Sequence, residues 1–244
     1  MLIIGAIASA IGIAVALSIN WFPLAADAQA HRIDTLYDVL LIFSVPIFVL
    51  VEVVVLFSVW KFRMRPGEEL KDGPPIHGNT TLEVIWTAVP AILLVGLCSY
   101  AYVVLTQIER KPAHEMLVNV TGQQFAWSFQ YPGAPGGKPI TSDQLYLAKG
   151  LPVEFHVRSK DVIHDFWVPE FRLKVDAVPG ITTSYRINPT RTGDYSVVCA
   201  ELCGLGHATM RQTAHVLPRA RFQAWVSRQR SVATASARAG AQPS

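Results

Sequence analysis

The stretch Cys199–Met210, CAELCGLGHATM, sets two of the chain's three cysteines four residues apart and follows them with His207 and Met210. Thiolate, imidazole and thioether are soft or borderline metal ligands, and an ordinary core needs no such density of them. Two cysteines on the outer side of a membrane commonly form a disulfide, but a disulfide uses neither His207 nor Met210. A structural zinc site takes two cysteines and two histidines, and methionine serves zinc poorly. Thioether and thiolate together select copper. A single blue-copper ion needs one cysteine, two histidines and a weak axial methionine. This loop has one thiolate too many, so two thiolates bridging two copper ions fit it better. The second histidine must then come from another strand. Of His114, His156, His164, His207 and His215, His164 lies in DVIHDFWVPEF, an apolar and aromatic run before a proline that reads as a loop between strands.

Outward from the loop, Leu117 to about Leu217 is a series of short alternating runs rich in Val, Tyr, Phe and Thr. LPVEFHVRS, TTSYRINPT and GDYSVVCAEL are examples, and YPGAPGGKP, AVPG and RTGD separate them. Short strands at regular spacing predict an antiparallel sandwich or small barrel, and about 100 residues suffice for one core. Beyond Leu217, RARFQAWVSRQR predicts a short helix and SVATASARAGAQPS a disordered tail.

Before this domain the texture is different. The chain has 244 residues, 51% of them hydrophobic and only 16% charged, against about 25% charged in an average soluble domain. Three apolar segments account for the deficit: MLIIGAIASAIGIAVALSINWF at the N-terminus, Val39–Trp60 and Val84–Leu105. Each reaches the roughly 20 residues that cross a bilayer core as a helix. The second and third form a transmembrane hairpin. The first precedes AADAQA, whose Ala-x-Ala patterns suit signal-peptide cleavage, so it is either a signal peptide or an additional membrane helix. Lys61, Arg63 and Arg65 mark the hairpin loop as cytoplasmic, which puts everything after about Gln107 outside the cytoplasmic membrane. The expected organisation is residues 1–30 signal peptide or extra helix, 31–107 hairpin, 108–218 outer domain and 219–244 short helix and tail. A net charge of +3, with no basic stripe interleaved with aromatics, excludes nucleic acid as a partner.

The loop Cys-x-Glu-x-Cys-x-x-x-His-x-x-Met resembles, at every position, the dinuclear copper (CuA) loop of subunit II of cytochrome c oxidase, in the haem-copper oxidase family. DVIHDFWVPEFRLKVDAVPG resembles the family's other copper segment, LEVIWTAVPAILL its second transmembrane helix, and GQQFAWSFQY its aromatic segment near the donor-docking face; together they span roughly Leu36 to Leu217. The resemblance implies a cupredoxin-like copper domain on a helical hairpin. Cys199 and Cys203 would each bridge both coppers, His164 and Met210 would complete one ion, and His207 and the Glu201 carbonyl the other. The Glu201 side chain would help hold magnesium at the interface with the catalytic subunit I. The implied activity is electron transfer from cytochrome c to that subunit, which reduces dioxygen to water with proton pumping.

Further implications attach to single residues. Glu83 falls where the family has a glutamate at the mouth of a proton pathway, although a carboxylate at a helix N-terminus is favourable anyway. A basic cytochrome c would be steered by carboxylates; Asp161 and Asp176 are at family-like positions, with Asp143, Glu154 and Glu170 weaker candidates. Many relatives carry a tryptophan where this chain has Phe125. Trp127, two residues on, would share a face with Phe125 if both lay in a strand. Glu52, inside a span, marks a functional position without a specific role, and Cys98 reads as a small buried residue. Two rival functions are a copper-bearing subunit of a related nitric oxide reductase and a non-enzymatic membrane-anchored module with a zinc or disulfide site.

Overall fold

The computed structural model describes residues 2–67, 73, 75–133 and 138–239. Parts of the expected cytoplasmic loop, of the YPGAPGGKP turn and of the C-terminal tail lie outside them. The chain divides into two compact units: residues 1–21 with 34–106, and residues 22–33 with 107–244.

The first unit is helical. Helices α2 (Ala30–Phe62) and α3 (Thr80–Ile108) contain the two expected spans and are long and apolar enough to cross a membrane. Helix α1 (Leu2–Ser18) is apolar but has 17 residues, about 26 Å at 1.5 Å per residue. It packs against α2 so closely that a Cβ at Gly12 would lie 2.8 Å from Val45 Cγ1. At the start of α3, the Asn79 side chain accepts the Leu82 N–H at 3.1 Å, and Glu83 Oε1 accepts the Asn79 N–H at 3.3 Å. Glu83 thus helps satisfy the unpaired donors of a helix N-terminus. Cys98, expected to be buried, is exposed on α3: an apolar span places small residues on its outer face as readily as inside.

The second unit holds the strands β1 (Met116–Gln123), β2 (Ala126–Tyr131), β3 (Ile140–Ser142), β4 (Leu145–Ala148), β5 (Val153–Ser159), β6 (His164–Val168), β7 (Leu173–Ala177), β8 (Thr183–Ile187), β9 (Gly193–Cys199) and β10 (Arg211–Leu217). They form two five-stranded sheets, ordered β3-β2-β1-β5-β8 and β4-β10-β9-β6-β7. Alternation sends Val118, Val120, Phe129, Phe155, Val157, Phe166 and Val197 into a shared core with no exposed surface. Burying each such side chain contributes roughly 1.5–3 kcal/mol. The expected antiparallel arrangement holds except at two ladders: β1 with β5, and β10 with β4, run parallel. Period-two alternation assigns faces to a strand but says nothing about the direction of its neighbour.

The boundary expected at residue 30 is also displaced. Residues 22–33 lie on the β-domain, where Ala26 is fully buried. Its N–H donates to the Glu170 carbonyl at 2.8 Å, and its carbonyl accepts the Thr190 N–H at 2.8 Å. The Asp27 carboxylate accepts the Asn188 N–H at 2.5 Å and the Gln29 N–H at 2.9 Å. Burial outweighs these bonds and pushes Asp27 up to about 6.

Helix α4 (Arg219–Ala239) packs Phe222 and Trp225 into the domain, with the Trp225 ring stacked on Tyr146 at 4.4 Å. It continues beyond the short helix expected, through SVATASARA. Alanine, at four of these nine positions, has the highest helix propensity.

Candidate metal centre

Two chain segments make the site. Strands β6 and β9 pair antiparallel with Phe166 opposite Cys199, so His164, at the start of β6, is set beside the end of β9. There β9 stops and the loop begins, its neck closed by the Cys199 N–H donating to the Met210 carbonyl at 3.2 Å. The Ala200 N–H donates to the Asp165 carbonyl at 3.1 Å, tying the loop to β6. A short turn of 3-10 helix, His207–Thr209, then returns the chain to β10.

Every ligand-type side chain singled out in the sequence converges here. Cys199 Sγ lies 3.9 Å from His164 Nδ1, 3.9 Å from Cys203 Sγ and 3.3 Å from the Glu201 carbonyl oxygen. Cys203 Sγ lies 3.7 Å from His207 Nδ1 and 3.9 Å from Met210 Sδ. His164 and Met210 have no exposed surface, and both cysteines are buried. The Glu201 side chain is exposed, so its backbone and side chain face different surroundings.

These separations test the bland readings. A disulfide needs its sulfurs about 2.05 Å apart; these are 3.9 Å apart and both cysteines are free. Two sulfurs each about 2.3 Å from one tetrahedral ion would be spaced by about 3.8 Å, which the pair matches. Donor atoms of His164, Cys199 and Cys203 all lie within 4.8 Å of one another, a group that His207 does not join. One tetrahedral zinc ion with both histidines would need all four donors equally close. Two ions sharing the sulfurs would not, because each histidine then serves a different side. The donor set therefore fits a pair of soft ions.

Burial first, and then the neighbouring Cys199 sulfur, push the Cys203 thiol up to about 11. Without metal the Cys203 thiol therefore keeps its proton at neutral pH, and metal binding there must displace it.

Aromatic and acidic neighbours sort differently from expectation. Trp127 is 2% exposed, its ring edge-on to His164 at 5.9 Å and to Phe166 at 5.5 Å. It is a wall of the site and offers no docking surface. Phe125 is 37% exposed and lies in the turn between β1 and β2, so the shared-face argument, which needs both residues in a strand, does not apply. Asp161 also has a different duty. Its Oδ1 is 2.9 Å from His164 Nε2, and Oδ2 accepts the Gln124 N–H at 2.7 Å. Desolvation works upward on this carboxyl, but the Gln124 N–H, His164 and the Val162 N–H outweigh it and hold it at about 2. A carboxylate on one ring nitrogen directs the other, Nδ1, toward the sulfurs. Asp176 and Asp143 are exposed, whereas Glu154 is paired with Arg186. Glu170 is half-buried.

Three contacts escape the sequence reading. The Gln124 side-chain amide donates to the Cys203 carbonyl at 2.5 Å. A Cβ at Gly122 would lie 2.9 Å from His164 Cδ2, and one at Gly206 would lie 2.4 Å from Phe125 Cδ2. A glycine inside a strand pattern signals close approach of another group, so Gly122 was findable; Gln124 carries no local signal.

Fold and site together define a membrane-anchored, cupredoxin-like domain carrying a buried cluster of thiolate, imidazole and thioether donors. Residues 14–104 match the transmembrane domain of cytochrome c oxidase subunit II, and residues 139–216, which include every ligand-type residue of the cluster, match its periplasmic domain. The chain is 32% identical to cytochrome c oxidase subunit 2 of Thermostichus vulcanus, over 87% of this chain and 80% of that one. It is 28% identical to the subunit 2 of Synechocystis sp., over 93% and 81%. Among solved structures, the periplasmic domain of subunit II of cytochrome oxidase of Bradyrhizobium japonicum is 27% identical, covering 50% of this chain and 98% of that one with a TM-score of 0.44. The chain belongs to the cytochrome c oxidase subunit II family and is thus a subunit of an oxidoreductase complex.

Proposed function

We propose that the chain is the electron-receiving subunit of a terminal oxidase. It takes electrons from a cytochrome c at a dinuclear copper centre and passes them to the haem-copper catalytic subunit I, where dioxygen is reduced to water with proton pumping. The observation that carries this reading is the convergence of four further donors, from two segments, on one sulfur pair, with Cys199 Sγ and Cys203 Sγ 3.9 Å apart. Copper held by these residues would supply one-electron transfer.

The chain's own residues do the rest. Cys199 and Cys203 would hold both ions, His164 and Met210 would complete one, and His207 with the Glu201 carbonyl would complete the other. Burial of Cys199, Cys203 and Met210 excludes water; anchorage of His164 on β6 and Cys199 on β9, with the loop neck closed by the Cys199 N–H to Met210 carbonyl bond, would keep the donors in place whichever charge the centre carries. The exposed Glu201 carboxylate is available to a magnesium ion at the interface with subunit I, an oxygen donor suited to a hard cation. Phe125 and Asp176 are exposed and suit donor docking. Glu83, which caps α3, would lie at the mouth of a proton pathway on the cytoplasmic side. Lys61, Arg63 and Arg65 at the end of α2 support a cytoplasmic loop, and hence a copper domain outside the cytoplasmic membrane.

The full chain, purified and loaded with copper, is expected to be purple, to hold two coppers and to give a mixed-valence resonance shared equally by both. A chain that holds one zinc ion, or has no titratable thiols at Cys199 and Cys203, overturns the reading in favour of a structural module. A co-purifying catalytic subunit that reduces nitric oxide and not dioxygen overturns the assigned acceptor.

A further inference from the structure

The turn between β1 and β2 touches both halves of the metal centre through one residue. From Gln124, the side-chain amide donates to the Cys203 carbonyl at 2.5 Å, across 79 positions of sequence. The backbone N–H of the same residue donates to Asp161 Oδ2 at 2.7 Å, and Asp161 Oδ1 is 2.9 Å from His164 Nε2. A continuous chain of bonds therefore runs from the backbone of one sulfur ligand, through Gln124 and Asp161, to the imidazole contributed by β6. The fit around it is close. A Cβ at Gly204 would lie 2.9 Å from Gln124 Nε2, and Gly204 has φ +130°, where a side chain is strained. The neighbouring Phe125 ring leaves no room for a Cβ at Gly206.

Resting on the dinuclear reading above, we propose that Gln124 is a positioning residue for the metal centre: its two hydrogen bonds fix the Cys203 loop and the His164 arm relative to each other. The physical need is clear from the topology. His164 comes from β6 and Cys203 from the loop after β9, and the sheet ladder joins those elements only at Phe166–Cys199 and Trp167–Val198, short of both ligands. The loop beyond Cys199 has no ladder partner, so its far sulfur is held by turn contacts. Gln124 supplies one from outside the loop. Phe125, the exposed residue suited to donor docking, is next in the chain, so the turn that sets the ligands also presents the surface through which electrons would arrive.

Groups that orient metal ligands from behind typically affect metal affinity 10- to 100-fold. The test uses the full chain in detergent with three substitutions. Gln124→Leu removes the amide, and Gln124→Glu keeps the shape but, when ionised, can only accept. Gln123→Leu removes an amide from the adjacent residue, for which no side-chain bond to the loop exists among the described residues. The expected result is that both Gln124 variants bind copper about 10-fold or more weakly in chelator competition, and that the hyperfine pattern becomes unequal between the two coppers. Gln123→Leu should match the wild type. If one Gln124 variant does not fold by circular dichroism, the other carries the comparison. Gln124 variants with wild-type copper affinity and resonance, and only a lowered melting temperature, overturn the proposal. A wild-type chain that gives no two-copper resonance instead overturns the functional reading beneath it.

Discussion

Replacing Gly122 with alanine would drive a methyl group into the back of the metal centre. The new Cβ would lie 2.9 Å from His164 Cδ2 and 3.1 Å from Trp127 Cζ3, so restoring ordinary contact at about 3.4 Å requires one of them to retreat by about 0.5 Å. Neither can do so freely. His164 has no exposed surface and its Nε2 is held by Asp161 at 2.9 Å; Trp127 is wedged against Phe166 at 5.5 Å. Overpacking of this kind costs about 1–3 kcal/mol, and exchanging a strand glycine for alanine returns about 0.5–1 kcal/mol. The net therefore runs from about zero to a loss of about 2.5 kcal/mol, which at its upper end is roughly 5–10 °C in melting temperature for a domain of this size. The larger effect falls on the ligand. Metal–ligand distances tolerate only about 0.2 Å, so an imidazole displaced by about 0.5 Å is a poor donor. Gly122→Ala is therefore expected to lower copper affinity at least 10-fold while the copper-free chain still folds. Chelator competition and paired melting curves of the copper-free and copper-loaded chain measure the two effects separately. A variant with unchanged melting and copper affinity within twofold of the wild type would refute the account of Gly122 as the surface against which His164 is set.

Met210→Leu keeps volume and burial, so it should cost less than about 1.5 kcal/mol of stability while shifting the reduction potential if the thioether serves as the proposed copper ligand; redox titration beside thermal melting distinguishes this from a purely packing role. Asp27 has a folded-state value of about 6 against an ordinary 3.8, so its neutral form is the one the fold favours. Attachment of residues 22–33 to the domain should be strongest below about pH 4 and weaken as pH rises through about 6, by up to about 3 kcal/mol. Amide exchange at Ala28 and Asn188, corrected for intrinsic rates, reports it, and Asp27→Asn should remove the dependence.

Much of the centre was legible because its chemistry is local. Cys199, Cys203, His207 and Met210 lie on one loop, and their residue types and spacing favour copper over a plain disulfide, which the 3.9 Å between the sulfurs then excludes. His164 was harder: only its apolar setting and the resemblance of its segment distinguished it from four other histidines of the domain. The docking residues were read least well. Trp127 was assigned a surface role from its distance to Phe125, yet Phe125 lies in a turn, outside the strand that would have given the two a common face. Asp161, expected as a steering carboxylate, is also bonded to His164 and the Gln124 N–H, a duty the sequence did not show.

The division has a physical basis. Hydrophobic length, basic flanks, alternation and ligand spacing are properties of contiguous residues, so the sequence alone determined the two spans, the β-rich outer domain and the ligand-type residues of the Cys199–Met210 loop. Partner choice across the chain is a different matter. The parallel pairing of β1 with β5, the attachment of residues 22–33 to the domain, the burial of Trp127 and the Gln124–Cys203 bond join segments far apart in sequence. Each depends on which surfaces meet when the two sheets close on a common core, and only the tertiary structure decided them.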